Sequence, residues 1–586
     1  MALAVLQEMR LSGAMGDRLH AAVSQWLLPA PYANPGLFDV YVRRDNDPDP
    51  ALSPRAGEYS GKYLISAILI FRMQREPRLR AAIEYSLFKL YDAQSEDGYL
   101  GVFCEKERMT GRTPSGAPVA DLWNHYYNML ALYLWIKTTN SLQAMERLTR
   151  AANFICEWFD PEKGHPLSDI AHPELNFCIM HILALLYRAA GDEAYYDLWK
   201  RMSEELTRIE GGENFFELFG DNALSELPKS DATLLYTVES LYTMHHYLHE
   251  EHYARTLYAQ YKRLRAASRL PNGGFGNMGH AIRSPYILAQ PETCAVTAWT
   301  ALCTDTLRAM RRVSIADELE LTAFNAALSA LHPSGRYMHR YAPMSGLRRP
   351  ACGSGDLAGA PEFSCCSAEA MHTLGLISQW GVFADEDEVY LNYYGASSIV
   401  LQLSSGRLVH ITQNTDYPLS GKVTLTVTAQ RAVTLHLRIP RWSRDTLITM
   451  ESAVFYDAEC GQYYTIHVPA GTVQLELNLD MNLHYWEGEG DAVGRHAVYR
   501  GPILLTFDRH YNPRWTESLA PVFDYGGMHL EPAECDDYYA PLVLFTVLAR
   551  DGTPIRLCDY ASAGQFGTQF ESWLTVRRAP RGSVWL

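Results

Sequence analysis

The spacing of apolar residues divides the chain into two parts. Up to about residue 385, apolar positions recur every three or four residues, as in Tyr63-Leu64-Ile65-Ser66-Ala67-Ile68-Leu69-Ile70-Phe71 and again over 126–136. The same period predicts helices around 148–158, 177–189, 234–247, 293–310 and 315–331. Breaks such as Asp97-Gly98, Ala190-Gly191-Asp192 and Pro271-Asn272-Gly273-Gly274 separate them. Paired helices of this kind close as an (α/α) barrel or stack as a solenoid. No sequence repeat of fixed period is present, which disfavours the solenoid.

After Glu388 the period falls to two. Residues 423–428, 433–439 and 473–479 alternate apolar and polar, bounded by turn residues such as Ser420-Gly421 and Ala470-Gly471. Half-buried antiparallel strands are expected there, with a second β region from about residue 490 that includes Val498-Tyr499 and 542–548. The expected domains are a helical unit over 1–386 and β-sandwiches over 387–487 and 488–586.

Length agrees with this division, since 586 residues exceed what one core holds. A formal net charge of −16 and the lack of any basic run argue against a nucleic-acid partner. No stretch reaches the ~18–20 apolar residues of a membrane span, and the first ten residues lack the positive start of a secretory signal. Eleven cysteines without framework spacing suggest reduced thiols and a cytoplasmic protein. The 12% aromatic content suits ring packing against sugars, and equally suits large β domains.

Candidate chemistry lies in two short stretches. Glu292 and Cys294 stand two apart at the start of an expected helix, and Cys365-Cys366 is a vicinal pair too strained for a mutual disulfide. Three thiols and a carboxylate are the donor set of a tetrahedral zinc site, provided that they meet in space. Otherwise the pair is a buried, inert one. Glu58 and Lys62, four apart on a helix, read as an ion pair. Cys156, Cys178 and Cys303 read as core. The glycine-rich loops lack the context of a phosphate loop or a dinucleotide fingerprint.

Glu-Thr-Cys-Ala followed by a Glu-Phe-Ser-Cys-Cys loop resembles the β-L-arabinofuranosidases of glycoside hydrolase family 127. Other fragments agree in order: Gly57-Glu58-Tyr59-Ser60-Gly61-Lys62, Asp121-Leu122-Trp123-Asn124-His125, Ala316-Asp317-Glu318-Leu319-Glu320, Leu437-Arg438-Ile439-Pro440-Arg441-Trp442 and Tyr499-Arg500-Gly501-Pro502. The resemblance implies an (α/α)6 barrel followed by two antiparallel β-sandwich domains. It also implies Zn2+ held by Glu292, Cys294, Cys365 and Cys366, with Cys365 as the nucleophile of a retaining hydrolase acting on terminal β-L-arabinofuranose or a similar sugar of plant-derived glycans. A cation-bound thiol stays ionised at neutral pH, which suits that role.

One position departs from the family pattern. Where the general acid/base glutamate is expected, this chain reads Gly276-Asn277-Met278-Gly279-His280. His280 is therefore the acid/base candidate, with Glu362 and Asp356 as alternatives. His125 and Trp123 match a sugar-lining Trp-x-His, and Glu320 matches a pocket carboxylate. Each has a plainer reading, as a helix-face histidine or a solvated charge. The competing functions are a non-catalytic sugar-binding protein stapled by zinc, and a relative acting on another glycoside or by altered chemistry. The β-sandwiches are the candidate surface for a homodimer.

Overall fold

The computed structural model describes residues 5–46, 56–109, 120–170, 173–206, 243–244, 248, 251–275, 290–350, 357–451, 453–517 and 520–585. Six helices position the site: α1 (Ala56–Gln74), α2 (Asp121–Thr139), α3 (Ile179–Ala190), α4 (Thr293–Met310), α5 (Val313–Thr322) and α6 (Cys365–Gly375). The sequence expectation over 293–310 matches α4, and that over 126–136 lies inside α2. The 315–331 segment changes to a wider helical turn at Ala323–Ala327. The expected helix at 234–247 lies almost wholly outside the described residues.

α1 is buried on nearly every face, from Ala56 to Phe71. A helix apolar all round belongs to the middle of a large assembly, and α1 packs against both α2 and α6. Two glycines allow that approach. A Cβ on Gly61 would stand 2.4 Å from Tyr127 Cβ, and one on Gly57 2.6 Å from Asn124 Cβ. The backbones of α1 and α2 therefore meet closely beside Lys62.

The alternating segments form β-sheets, and Lys422–Ala429 pairs in antiparallel register with Gly471–Asn478 and with Leu408–Asn414. One sheet has seven strands, a second four and a third eight. The pairing of Glu388–Leu391 with Val433–Arg438 is parallel, a departure from a purely antiparallel expectation. The domains also interleave. Strand Val5–Leu11 joins the seven-stranded sheet beside Ser397–Gln402, and Ser345–Gly346 pairs with Phe570–Glu571 of the third sheet. The molecule is thus a mixed α/β multidomain protein, with a helical part followed by β-sheet domains. Among the described residues, no helix is long and apolar enough to cross a membrane, and every cysteine is a free thiol.

A buried thiol cluster at two helix starts

Ser364 caps α6 with its side chain on the Ser367 N–H, and Ser367 returns the bond to the cap. That box places Cys365 and Cys366 in the first turn. Glu292 occupies the equivalent cap position of α4, with Cys294 in its first turn. The Thr293 N–H donates to Arg340 O (2.9 Å), which fixes this entry. Two helix N-termini therefore converge, each carrying about half a positive charge toward the sulfurs.

Cys294, Cys365 and Cys366 lie within 4.8 Å of one another and are all buried. Cys294 Sγ is 3.5 Å from Cys366 Sγ, which is 3.9 Å from Cys365 Sγ. Glu292 reaches the group through Cys366, whose thiol donates to Oε1 at 3.4 Å. A tetrahedral zinc with bonds of about 2.3 Å to sulfur and 2.0 Å to oxygen requires S···S near 3.8 Å and S···O near 3.5 Å. The three thiols fit a metal ion of that kind, and Glu292 stands beside them at Cys366.

Lys62 completes the cluster. Its Nζ is 3.4 Å from Cys294 Sγ, 2.7 Å from Glu58 and 3.5 Å from Glu369. It also sits 4.8 Å from the Tyr127 ring and 5.7 Å from that of Trp123. Burial would lower its pKa, but the charges of Cys294, Glu369, Glu58 and Cys365 outweigh burial and raise it well above the ordinary lysine value. Hydrogen bonds from Cys294 and then Cys366, aided by Lys62 and Arg340, bring the Cys365 thiol well below its ordinary value despite burial. For Cys294 the same hydrogen bonds, followed by burial, push the thiol up. Cys366 also rises, because burial and the Cys365 charge overcome the lowering bond to Cys294. Burial, then the Cys365 charge, raises Glu292 in spite of Arg340 Nε at 3.0 Å. Glu369 is pushed up to about 7, chiefly by burial. Of the three thiols, Cys365 alone has its pKa lowered.

The remaining candidates are placed as follows. Trp123 flanks Lys62. His125 is fully buried; its Nε2 accepts the Leu100 N–H (3.0 Å) and its Nδ1 donates to Asp121 O (2.9 Å), so the ring pins the loop after Tyr99. Glu320 is enclosed by Arg438, Trp442 and Tyr417, whose hydroxyl donates at 2.6 Å, and thus joins the helices to the β part. Glu362 is 46% exposed and pairs with Arg336. His280 and Asp356 lie outside the described residues. Sequence reasoning gave Lys62 no part in the site and did not find Glu369 or Arg340. Lysine within an otherwise apolar, all-round buried helix was the signal available, because such a charge must be paired.

The profile of the β-L-arabinofuranosidase catalytic domain of glycoside hydrolase family 127 matches residues 11–378, and that of the family's middle domain matches 388–481. A search of the curated proteins finds no match. The fold is similar to a GH127 β-L-arabinofuranosidase from Geobacillus stearothermophilus T6, with 18% identity, 97% of this chain and 100% of that one covered, and a TM-score of 0.79. A second GH127 β-arabinofuranosidase gives 16% identity, 99% coverage of both chains and a TM-score of 0.81. The fold and the profile match define the class, a glycoside hydrolase. The chain belongs to glycoside hydrolase family 127.

Proposed function

We propose that the protein is a zinc-dependent retaining hydrolase that releases terminal β-L-arabinofuranose, or a closely similar sugar, from plant-derived glycans. In this reading the helices close as an (α/α)6 barrel with the thiols at its mouth. The observation that carries it is the convergence of three buried thiols at two helix starts, Cys365 being the one whose pKa is lowered. Glu292, Cys294, Cys365 and Cys366 would hold the ion, which when bound keeps the sulfurs ionised at neutral pH.

Cys365 Sγ attacks the anomeric carbon as the glycosidic C–O bond breaks, and the leaving oxygen takes a proton from the general acid. The acid deprotonated in that step then accepts a proton from water. The water's oxygen attacks the same carbon and expels the Cys365 thiolate, and two inversions give retention. We assign the acid/base to His280, a residue that titrates near neutrality. Lys62 keeps its positive charge beside the sulfurs throughout, and Trp123 offers an aromatic wall next to it.

The test is an assay with aryl β-L-arabinofuranosides and a panel of other aryl glycosides, run on protein of measured zinc content. Turnover of a furanoside, lost with chelator and in Cys365→Ser, supports the proposal. Zinc-loaded protein inert toward the whole panel would overturn it. For His280, the variants His280→Gln and His280→Glu should move the pH–rate profile. An unchanged profile would remove that residue from the mechanism.

A further inference from the structure

The two helices that start at the thiols, α4 and α6, run on to a cavity at their other ends. It has a volume of about 470 Å³ and is lined by residues of α1, α2, α3, α4 and α6, the last turns of α1 to α4 among them, with strands Val5–Leu11 and Val382–Asp385 at one side. Four cations line it: Arg72, Lys137, Arg188 and Arg308, each in the last turn of its helix. Asp305 is the one carboxylate among the described lining residues. Such a concentration of positive charge is unexpected in a chain of net charge −16.

Helix dipoles account for part of it. A helix C-terminus carries about half a negative charge, so the four ends that bear these cations offset about half of them. Asp305 still leaves a surplus. Arg72 is where the surplus is greatest, since among the described residues it has neither a carboxylate partner nor a hydrogen bond. Burial, then the charges of Arg308 and Arg75, lower its pKa to about 10. His372, 4% exposed on the same wall, has an Nδ1 without a hydrogen-bond partner. A buried ring nitrogen and a crowded guanidinium facing one cavity both gain from an oxygen-rich anion that accepts their bonds. The other two arginines are anchored, Arg308 to Gln379 O at 2.8 Å and Arg188 to the Tyr133 hydroxyl at 3.2 Å, so their positions are set in advance.

We propose that this cavity binds a small organic oxyanion, one carrying a phosphate or a carboxylate group, at the opposite helix ends from the thiols. Arg72 and Arg308 grip the anionic group, His372 adds a hydrogen bond, and Lys137 guards the exposed rim. The site is separate from hydrolysis and stands or falls independently of it.

The experiment is thermal unfolding and titration calorimetry of the full chain with inorganic phosphate, and separately with D-glucuronate, each against sodium chloride of equal ionic strength. A saturable rise in melting temperature beyond that of chloride is expected from at least one probe, and the stronger of the two identifies the anionic group. Arg72→Gln should weaken binding about tenfold, as for loss of one charged hydrogen bond. Lys137→Ala, an exposed change that leaves the fold intact, should weaken it severalfold. No rise beyond chloride with either probe, or equal rises in wild type and Lys137→Ala, would overturn the proposal and leave the cations as neutralisers of helix ends.

Discussion

Two clusters of charge lie buried in this protein, and they are built on opposite plans. At the junction of α5 with the β part, Asp317, Glu318 and Glu320 face Arg265, Arg269, Arg438 and Arg441. Arg438 Nη1 is 2.7 Å from Asp317 and its Nη2 is bound to Glu320, while Arg265 and Arg269 hold Glu318 at 2.7 and 2.8 Å. Burial alone would raise Glu318, yet its arginines prevail and keep it below its ordinary value. Every carboxylate there has a guanidinium. Among the described residues at the thiols, Lys62 pairs with Glu58 and Glu369, and the half-exposed Arg340 pairs with Glu292. Pairing of every carboxylate with a guanidinium, even where burial still raises Glu320, marks the joint between helices and sheets. A shortage of positive charge around ionisable sulfur marks a place where a cation, and then chemistry, is wanted.

The largest expected effect tests the thiol side of that contrast. Cys365→Ala removes the proposed nucleophile and should lower turnover on an aryl β-L-arabinofuranoside on the order of 10⁴-fold or more. The melting temperature should move by only a few degrees, because a small buried side chain is lost and Lys62 keeps Glu58 and Glu369 as partners. Progress curves with calorimetry of the same samples check both parts. Substantial residual turnover would give Cys365 the same purely structural role as the arginines of the interface.

At the interface the expectation reverses. Arg438→Met strands Glu320, leaves Asp317 with Arg441 alone, and should cost about 3–5 kcal/mol of unfolding free energy. Measured by urea denaturation, the loss should come with little change in turnover by the folded fraction. If activity fell instead while stability held, Glu320 would belong to the sugar pocket, as its family match implies.

Much of this contrast could be read in the residues before any coordinates. The change of period near residue 385, the helix over α4 and the strands at 423–428 and 473–479 follow from spacing alone, since each pattern suits one backbone geometry. The meeting of Glu292 and Cys294 with Cys365-Cys366 stayed conditional on the residues alone and was expected only through the family resemblance. The interleaving of Val5–Leu11 with the middle sheet had no such signal; edge pairing depends on long-range topology. Lys62 was legible as half of an ion pair and not as a neighbour of thiols. Its second partner is 232 positions away in the chain.

Lys62 gives an intermediate test. In chelator-treated protein, Lys62→Met should move the midpoint of the pH profile of Cys365 alkylation by iodoacetamide up by about one unit, the lost stabilisation of the thiolate. Mass spectrometry of peptides sampled over time reads the rate, and repeating the series across pH separates a pKa change from altered access. An unchanged midpoint would mean that helix starts and neighbouring thiols suffice to ionise Cys365, and the shortage of positive charge would be deeper than it looks.

The smallest effect concerns how the two regions fail together. His339 is 4% exposed, its Nδ1 donates to Ser329 O at 2.9 Å, and burial, followed by the Arg348 charge, lowers its pKa to about 3. For a histidine whose folded pKa lies below the unfolded value of about 6.5, stability is complete above 6.5 and drains away as pH falls toward 3. One such residue should cost about 2 kcal/mol by pH 5. His339 O also accepts the Thr293 hydroxyl at 2.9 Å, at the first residue of α4 and next to Cys294. Acid stress on the segment that faces the C-terminal domain is thus passed to the helix start that aims a thiol. The wild type should lose about 2 kcal/mol more than His339→Gln between pH 8 and pH 5 in urea titrations, and activity should fall in step with folded fraction. A pH dependence identical in both proteins would detach the two regions, and with it the view that the joint holds the site in register.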